Sequence, residues 1–177
     1  MRATGIVRRI DELGRVVIPK EIRRTQRIHS GDALEIFTDG KGEVVFKKYS
    51  PLAELGELAA AYADVLARRL GCGVAVCDRE KIVAAAGAGR SELLGEPLPP
   101  ELDALLARRK LYTAPEEPLH RVALGSRWLL CAAPVLVHGD IEGGVLLPGM
   151  RRDAVPDPET IRAAATAAEF LARWMGE

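Results

Sequence analysis

Up to residue 50 the chain is a series of short apolar stretches, none long enough to close a core of its own. Residues 5–10 (Gly-Ile-Val-Arg-Arg-Ile) read as a strand, and residues 15–18 as a second strand that Pro19 stops. Between them Asp11-Glu12-Leu13-Gly14 is a turn, with Gly14 free to take positive φ. Residues 20–26 place helix formers directly behind a proline, which suits a helix start. A second hairpin follows: a strand over 33–38, the turn Asp39-Gly40-Lys41-Gly42, and a strand over 43–49. A unit this small with four short strands is mostly surface and is marginal alone. Its apolar residues are nevertheless plentiful, Ile6, Val7, Val16, Val17, Ile18 and Ile22 among them. The expectation is an obligate dimer in which two chains share one β core.

Charge is distributed unevenly. Residues 1–30 carry Arg2, Arg8, Arg9, Arg15, Lys20, Arg23, Arg24 and Arg27 against Asp11, Glu12 and Glu21, a net of +5 on a chain whose total is zero. Positive charge gathered at one end calls for a negatively charged partner there, most commonly nucleic acid phosphate. Arginine suits a sheet that reads DNA, because its planar fork donates two parallel bonds to phosphate or to a guanine edge. Arg8 and Arg15 flank one turn and can share a face, while Arg23 and Arg24 sit on the helix after it. The alternative is a solvated face balanced by the three acidic neighbours.

Ser50-Pro51 marks a break, with Ser50 placed to cap a helix and Pro51 at its first position. The domains are expected at 1–50 and 51–177. Leu52, Leu55, Leu58, Ala59, Tyr62, Val65, Leu66 and Leu70 form the apolar stripe of a helix that Gly71 ends. Strands are expected over 73–77 and 81–86, a short helical piece after Ser91, a helix over 100–109, and short strands over 111–113 and 121–124. Two long strands, 127–137 and 141–147, are joined by His138-Gly139-Asp140. A final helix runs from about Asp157 to Met175, with Ile161, Ala164, Ala165, Ala168, Leu171, Ala172 and Met175 on its apolar face.

Thr4-Gly5-Ile6-Val7-Arg8, then Asp11-Glu12-Leu13-Gly14-Arg15 with Val17-Ile18-Pro19, then Glu21-Ile22-Arg23-Arg24 and Gly31-Asp32-Ala33-Leu34-Glu35-Ile36, resemble the AbrB-type transition-state regulators in order and spacing. The resemblance covers residues 1 to about 50. It implies a swapped-hairpin β-barrel made by two interleaved chains. It also implies dimeric binding of double-stranded DNA through Arg8, Arg9, Arg15, Arg23 and Arg24, with DNA shape mattering more than a fixed base code. Arg27 stands where many single-domain members have glycine. The rest of the chain resembles the GAF-like domain appended in one branch of the family, a central antiparallel sheet with flanking helices, and residues 133–147 look like the paired strands near the end of such a domain. The fold class implied is α+β. The function implied is a cytoplasmic transcription regulator of late spore development.

GAF-like domains often enclose a small ligand, and the candidate lining residues are Arg79, Arg90, Ser91, Arg108, Tyr112 and Arg127, although each also reads as ordinary surface or a helix cap. No cofactor or effector is nameable from them. The other role for this domain is assembly, through the apolar stripes of the 52–70 and 161–175 helices, giving a tetramer built as a dimer of dimers. Catalysis is not expected. His29, His120 and His138 have no nucleophile at motif spacing, Asp11-Glu12 and Glu116-Glu117 fall in turns and loops, and Gly87-Ala88-Gly89-Arg90 lacks the Lys-Ser/Thr of a phosphate cradle. Cys72, Cys77 and Cys131 are an odd set without zinc-ligand spacing, and Cys77 and Cys131 read as small apolar residues on buried strands. No apolar run reaches the roughly 18–20 residues that cross a bilayer, and the first residues lack a secretory signal, so a cytosolic protein is expected. The alternative from another functional class is a protein-binding, antitoxin-like module of the same barrel.

Overall fold

The computed structural model describes residues 4–115 and 121–176. Arg2, the Glu116-Glu117 pair and His120 lie outside the described residues. The chain divides into two compact units, Met1–Tyr49 and Ser50–Glu177.

The first unit contains helix α1 (Lys20–Thr25) and the antiparallel hairpin β1 (Leu34–Thr38) and β2 (Val44–Lys48), in which Ile36 faces Phe46. The Asp39 carboxylate closes the hairpin turn by accepting from Lys41 N at 3.1 Å and Glu43 N at 2.7 Å. Helix α1 ends in a left-handed residue, Arg27 at φ 51°, with Ile28 N donating to Arg23 O at 2.7 Å. Glycine is the usual residue in such a C-terminal cap, so arginine there accepts backbone strain. Residues 5–10 and 15–18 correct the sequence expectation, for they are not strands within this chain. Their turn does form, with Asp11 N donating to Arg15 O at 3.0 Å and Gly14 at φ 75°. A strand exists through its ladder, and beyond Asp11 and Arg15 these two segments have no ladder partner among the described residues.

The second unit is built on a six-stranded antiparallel sheet in the order β4-β3-β8-β7-β5, with β6 also paired to β7. The strands are β3 (Val74–Cys77), β4 (Ile82–Ala86), β5 (Tyr112–Thr113), β6 (Ala123–Leu124), β7 (Arg127–Val137) and β8 (Asp140–Gly149). The helices are α2 (Pro51–Glu54), α3 (Gly56–Leu70), α4 (Arg90–Leu93), α5 (Pro100–Leu106) and α6 (Pro158–Gly176). Ser50 caps α2, its hydroxyl accepting from Ala53 N at 3.2 Å, with Pro51 at the first position. The single helix expected over 52–70 is broken at Leu55, just before Gly56, whose missing side chain makes it a poor helix former.

Both sheet faces are covered. On one, Ala59, Ala63 and Ala67 of α3 and Ala164, Ala167 and Ala168 of α6 pack against Val74, Val76, Cys131, Ala133, Val135, Val145 and Leu147. The helices thus meet the sheet mainly through alanines rather than along the whole stripe, and Val65 is left exposed. On the other face Leu93 of α4 and Leu102 and Leu106 of α5 pack with Leu98, Leu124, Leu129, Ala132 and Leu146. Cys77 and Cys131 are buried and burial raises both thiols, Cys131 to about 12, so they serve as core.

The glycines of β8 set how closely strands and helices approach. A Cβ on Gly143 would stand 2.0 Å from Cys77 O and 2.6 Å from Leu52 Cδ1, and a backbone oxygen cannot yield as a side-chain tip can. Gly143→Ala is expected to lower the stability of the second unit by about 3 kcal/mol through overpacking between β3 and β8. Urea unfolding followed by the fluorescence of Trp128 and Trp174 checks this, and an unchanged midpoint would contradict the packing described.

Candidate nucleic-acid interface

Arg8, Arg9, Arg15, Arg23 and Arg24 are all exposed. Arg8, Arg9 and Arg15 lie on the turn and its arms, while α1 carries Arg23 and Arg24 in its last turn, where cations complement the helix dipole. Among the described residues, Arg8, Arg9, Arg23 and Arg24 form no ion pair. Arg15 differs: its Nε donates to Asp11 Oδ2 at 2.8 Å. The same carboxylate accepts from Leu13 N at 3.0 Å and Arg15 N at 2.8 Å through Oδ1, so Asp11 both folds the turn and holds an arginine. These bonds, the Arg15 amide first, put the Asp11 carboxyl below its ordinary value of 3.8.

The apolar residues of this unit are as open as the arginines. Val7 is 85% exposed, Leu13 74%, Val17 72% and Ile10 71%, and the β1–β2 hairpin leaves Ile36, Val44 and Phe46 exposed as well. Pro19 alone is buried among the unit's described residues. An apolar surface of this extent beside a cationic one is unusual for a free-standing module.

In the second unit the six candidate lining residues do not form one site. Arg90, Ser91 and Arg108 are exposed and Arg79 is half-buried. Arg127 is buried and already engaged: Nε donates to Glu92 Oε2 at 3.3 Å, and Nη1 lies 2.8 Å from Met150 Sδ. Ser126 donates to the same Glu92 oxygen at 2.8 Å, and that bond, ahead of the Arg127 charge, lowers the Glu92 carboxyl. Gly89 lies against the guanidinium, where a Cβ would stand 2.1 Å from Nε, so this glycine-rich loop serves packing. Tyr112 is half-buried, with its hydroxyl closed off. His29 and His138 are loop and turn residues: the amide of His29 donates to Asp32 Oδ2 at 2.8 Å, and His138 turns from β7 to β8 at φ 50°. Among the described residues no three metal-binding side chains converge, and no helix is long and apolar enough to cross a membrane.

Sequence reasoning missed two buried polar residues. Asp78 accepts from Glu80 N at 2.7 Å and Lys81 N at 2.8 Å, and its other oxygen accepts from the Ser50 hydroxyl at 3.0 Å, tying the first residue of this unit to the β3–β4 turn. The Asp-x-x-Lys turn after an apolar strand was the available signal. Arg121 is also buried, with Nη1 donating to Ala154 O. Nothing in the sequence separates it from the exposed arginines.

The family model described as stage V sporulation protein T C-terminal, transcription factor, matches residues 54–176, and the one described as antidote-toxin recognition MazE, bacterial antitoxin, matches residues 7–53. Stage V sporulation protein T of Bacillus subtilis (strain 168) is 41% identical over 186 residues, covering 99% of each chain. The transition state regulatory protein AbrB of the same organism is 59% identical over 51 residues, which are 29% of this chain and 52% of AbrB. Among solved structures, a GAF domain/HD domain protein from Geobacter sulfurreducens superposes with a TM-score of 0.50 at 15% identity, over 68% of this chain and 91% of that one, a likeness of fold alone. The fold class is α+β, with an AbrB-like first unit and a GAF-like second unit.

The Asp11 turn has a pH signature. A carboxyl lowered in the folded state contributes stability above its unfolded value, and that contribution is lost as pH falls through the folded value. In an NMR titration the Asp11 carboxyl should reach its midpoint below 3.8, and the Arg15 Nε resonance should move with it. A midpoint at 3.8 or above would show that the pair does not form in solution.

Proposed function

We propose a function from one premise: this chain belongs to the stage V sporulation protein T family of transcription factors, and it is not an enzyme. It binds double-stranded DNA through the first unit, residues 1–50, as a dimer in which two copies complete each other's open segments. Arg8, Arg9, Arg23 and Arg24 make the phosphate contacts, and Arg15 joins them when it leaves Asp11. One observation carries this reading. Four of the five arginines are exposed and unspent on acidic neighbours among the described residues, so their charge is available to an external polyanion. The exposed Val7, Ile10, Leu13 and Val17 support the dimer, since pairing two copies would give these side chains a core and the segments around them a ladder.

Residues 51–177 act as a sensor or assembly domain. Tetramer formation is supported by an aromatic row on the outer side of α3 and α6: Tyr62 stacks on Phe170 with ring centroids 4.9 Å apart, Phe170 lies 6.1 Å from Trp174, and Trp174 is half exposed. Joining dimers there would place several cationic surfaces on one particle and raise effective concentration along DNA. The protein works in the cytoplasm, on genes of late spore development. A second reading, a module that binds a toxin-like protein, is favoured by the antitoxin model over residues 7–53. The folded GAF-like unit that follows residue 50 supports regulation instead.

Binding should be strongly salt-dependent, with log affinity falling about 0.9 per phosphate neutralised for each unit of log salt. Arg8→Ala and Arg23→Ala should each weaken binding to many sequences alike and lower that slope by about one for each contact removed. Fluorescence anisotropy on labelled duplexes between low and physiological salt measures it. A flat salt response, or a slope unmoved by either substitution, defeats the proposal.

A further inference from the structure

Of the five exposed arginines on the cationic surface, Arg15 is the one held by an acidic group among the described residues. Its Nε donates to Asp11 Oδ2 at 2.8 Å, and that one bond joins the pair. Asp11 is not free to follow the arginine away. Its other oxygen accepts from Leu13 N at 3.0 Å and Arg15 N at 2.8 Å, and Asp11 N donates to Arg15 O at 3.0 Å. The carboxyl, lowered first by the Arg15 amide, is an anion at neutral pH. Side-chain entropy is the usual cost of a surface ion pair, and here one partner is already fixed by the turn. Glu12, the neighbouring acid, is exposed and forms no ion pair among the described residues.

A phosphate asks for the same atom. Arginine takes a phosphate in two parallel bonds through an edge of its fork, and the side edge, Nε with Nη2, opens only after Asp11 lets go. The Arg15 side chain is 70% exposed and that of Asp11 42%, so water and phosphate reach the pair. The exchange leaves the turn in place, because the Leu13 and Arg15 amides bond to the other carboxylate oxygen.

We infer that Asp11 is an internal competitor for Arg15: it occupies the guanidinium in the free protein, is displaced by a backbone phosphate of duplex DNA, and so sets how strongly and how salt-dependently the first unit binds. This rests on the DNA-binding reading above and adds a residue that opposes binding to those that make it. Asp11→Asn keeps an oxygen for the Leu13 and Arg15 amides and removes the charge that holds the guanidinium. With the full-length protein and a labelled duplex, Asp11→Asn should raise affinity about threefold at low salt and steepen the salt slope by up to about 0.9. In the Arg15→Ala background the gain should fall to that of Glu12→Gln, which removes an equal charge one residue away. That cycle separates release of Arg15 from a general loss of repulsion. In wild-type protein the Arg15 Nε–H resonance should move on saturation with duplex, a measurement that needs no variant. An Asp11→Asn protein that binds no tighter than wild type, a gain that survives in full without Arg15, or an Nε–H resonance unmoved by DNA overturns the inference while the DNA-binding reading stands. A wild-type protein that binds no duplex at all overturns both.

Discussion

The second unit depends on the β7–β8 ladder. These are its longest strands, and every other strand except β4 pairs with one of them. Successive side chains of a strand point to opposite faces, so this ladder decides which residues meet α3 and α6 and which meet α4 and α5. Val145 and Leu147 go one way and Leu146 the other. In β7 the register shifts between Leu129 and Cys131, and the two residues, which simple alternation would place together, fall on opposite faces. The alanines of α3 and α6 and the glycines of β8 follow from the same constraint, because a sheet packed on both faces leaves little depth for side chains between its layers.

Among its described residues the first unit has the β1–β2 ladder but no core built on it. Each large apolar side chain left in water forgoes about 1.5–3 kcal/mol of burial, and Val7, Ile10, Leu13 and Val17 are all in that position. The turn between these arms is nonetheless well made, with a single carboxylate accepting two backbone amides and the Arg15 guanidinium. Local order is thus present without a core: the turn fixes how the arms leave it, and the proposed dimer leaves their pairing to association. In the proposed dimer, a cationic surface completed by association would couple DNA affinity to protein concentration, since whatever binds the dimer stabilises it.

Legibility followed the range of the interactions. The Ser50 cap, Pro51 at the helix start, the Asp39 turn and the span of β7 are set by neighbours in sequence, and they were readable there. The arms at 5–10 and 15–18 have strand composition, but composition does not supply a ladder partner, and the described residues hold none for them. The break at Leu55 was missed because the apolar stripe continues through it while the backbone does not. Of the candidate site residues, the five arginines stand out in the sequence as a cluster of like charge, and all five are exposed. The Asp11–Arg15 pair does not stand out, because a turn read from its glycine says nothing of where the aspartate side chain goes.

The second unit shows where charge counting stops being informative. Arg121 stands just before the short strand β6 and Arg127 opens the long strand β7, and both are buried. Their surroundings differ in one respect. Arg127 has Glu92, itself held by Ser126, so a charge on one side is met by a charge on the other. Among the described residues the direct partner of Arg121 is a backbone carbonyl, and the acidic group that feels its charge, Asp153, is already paired with Arg151. Burying a cation on those terms costs stability that a hydrophobic side chain of similar volume would not.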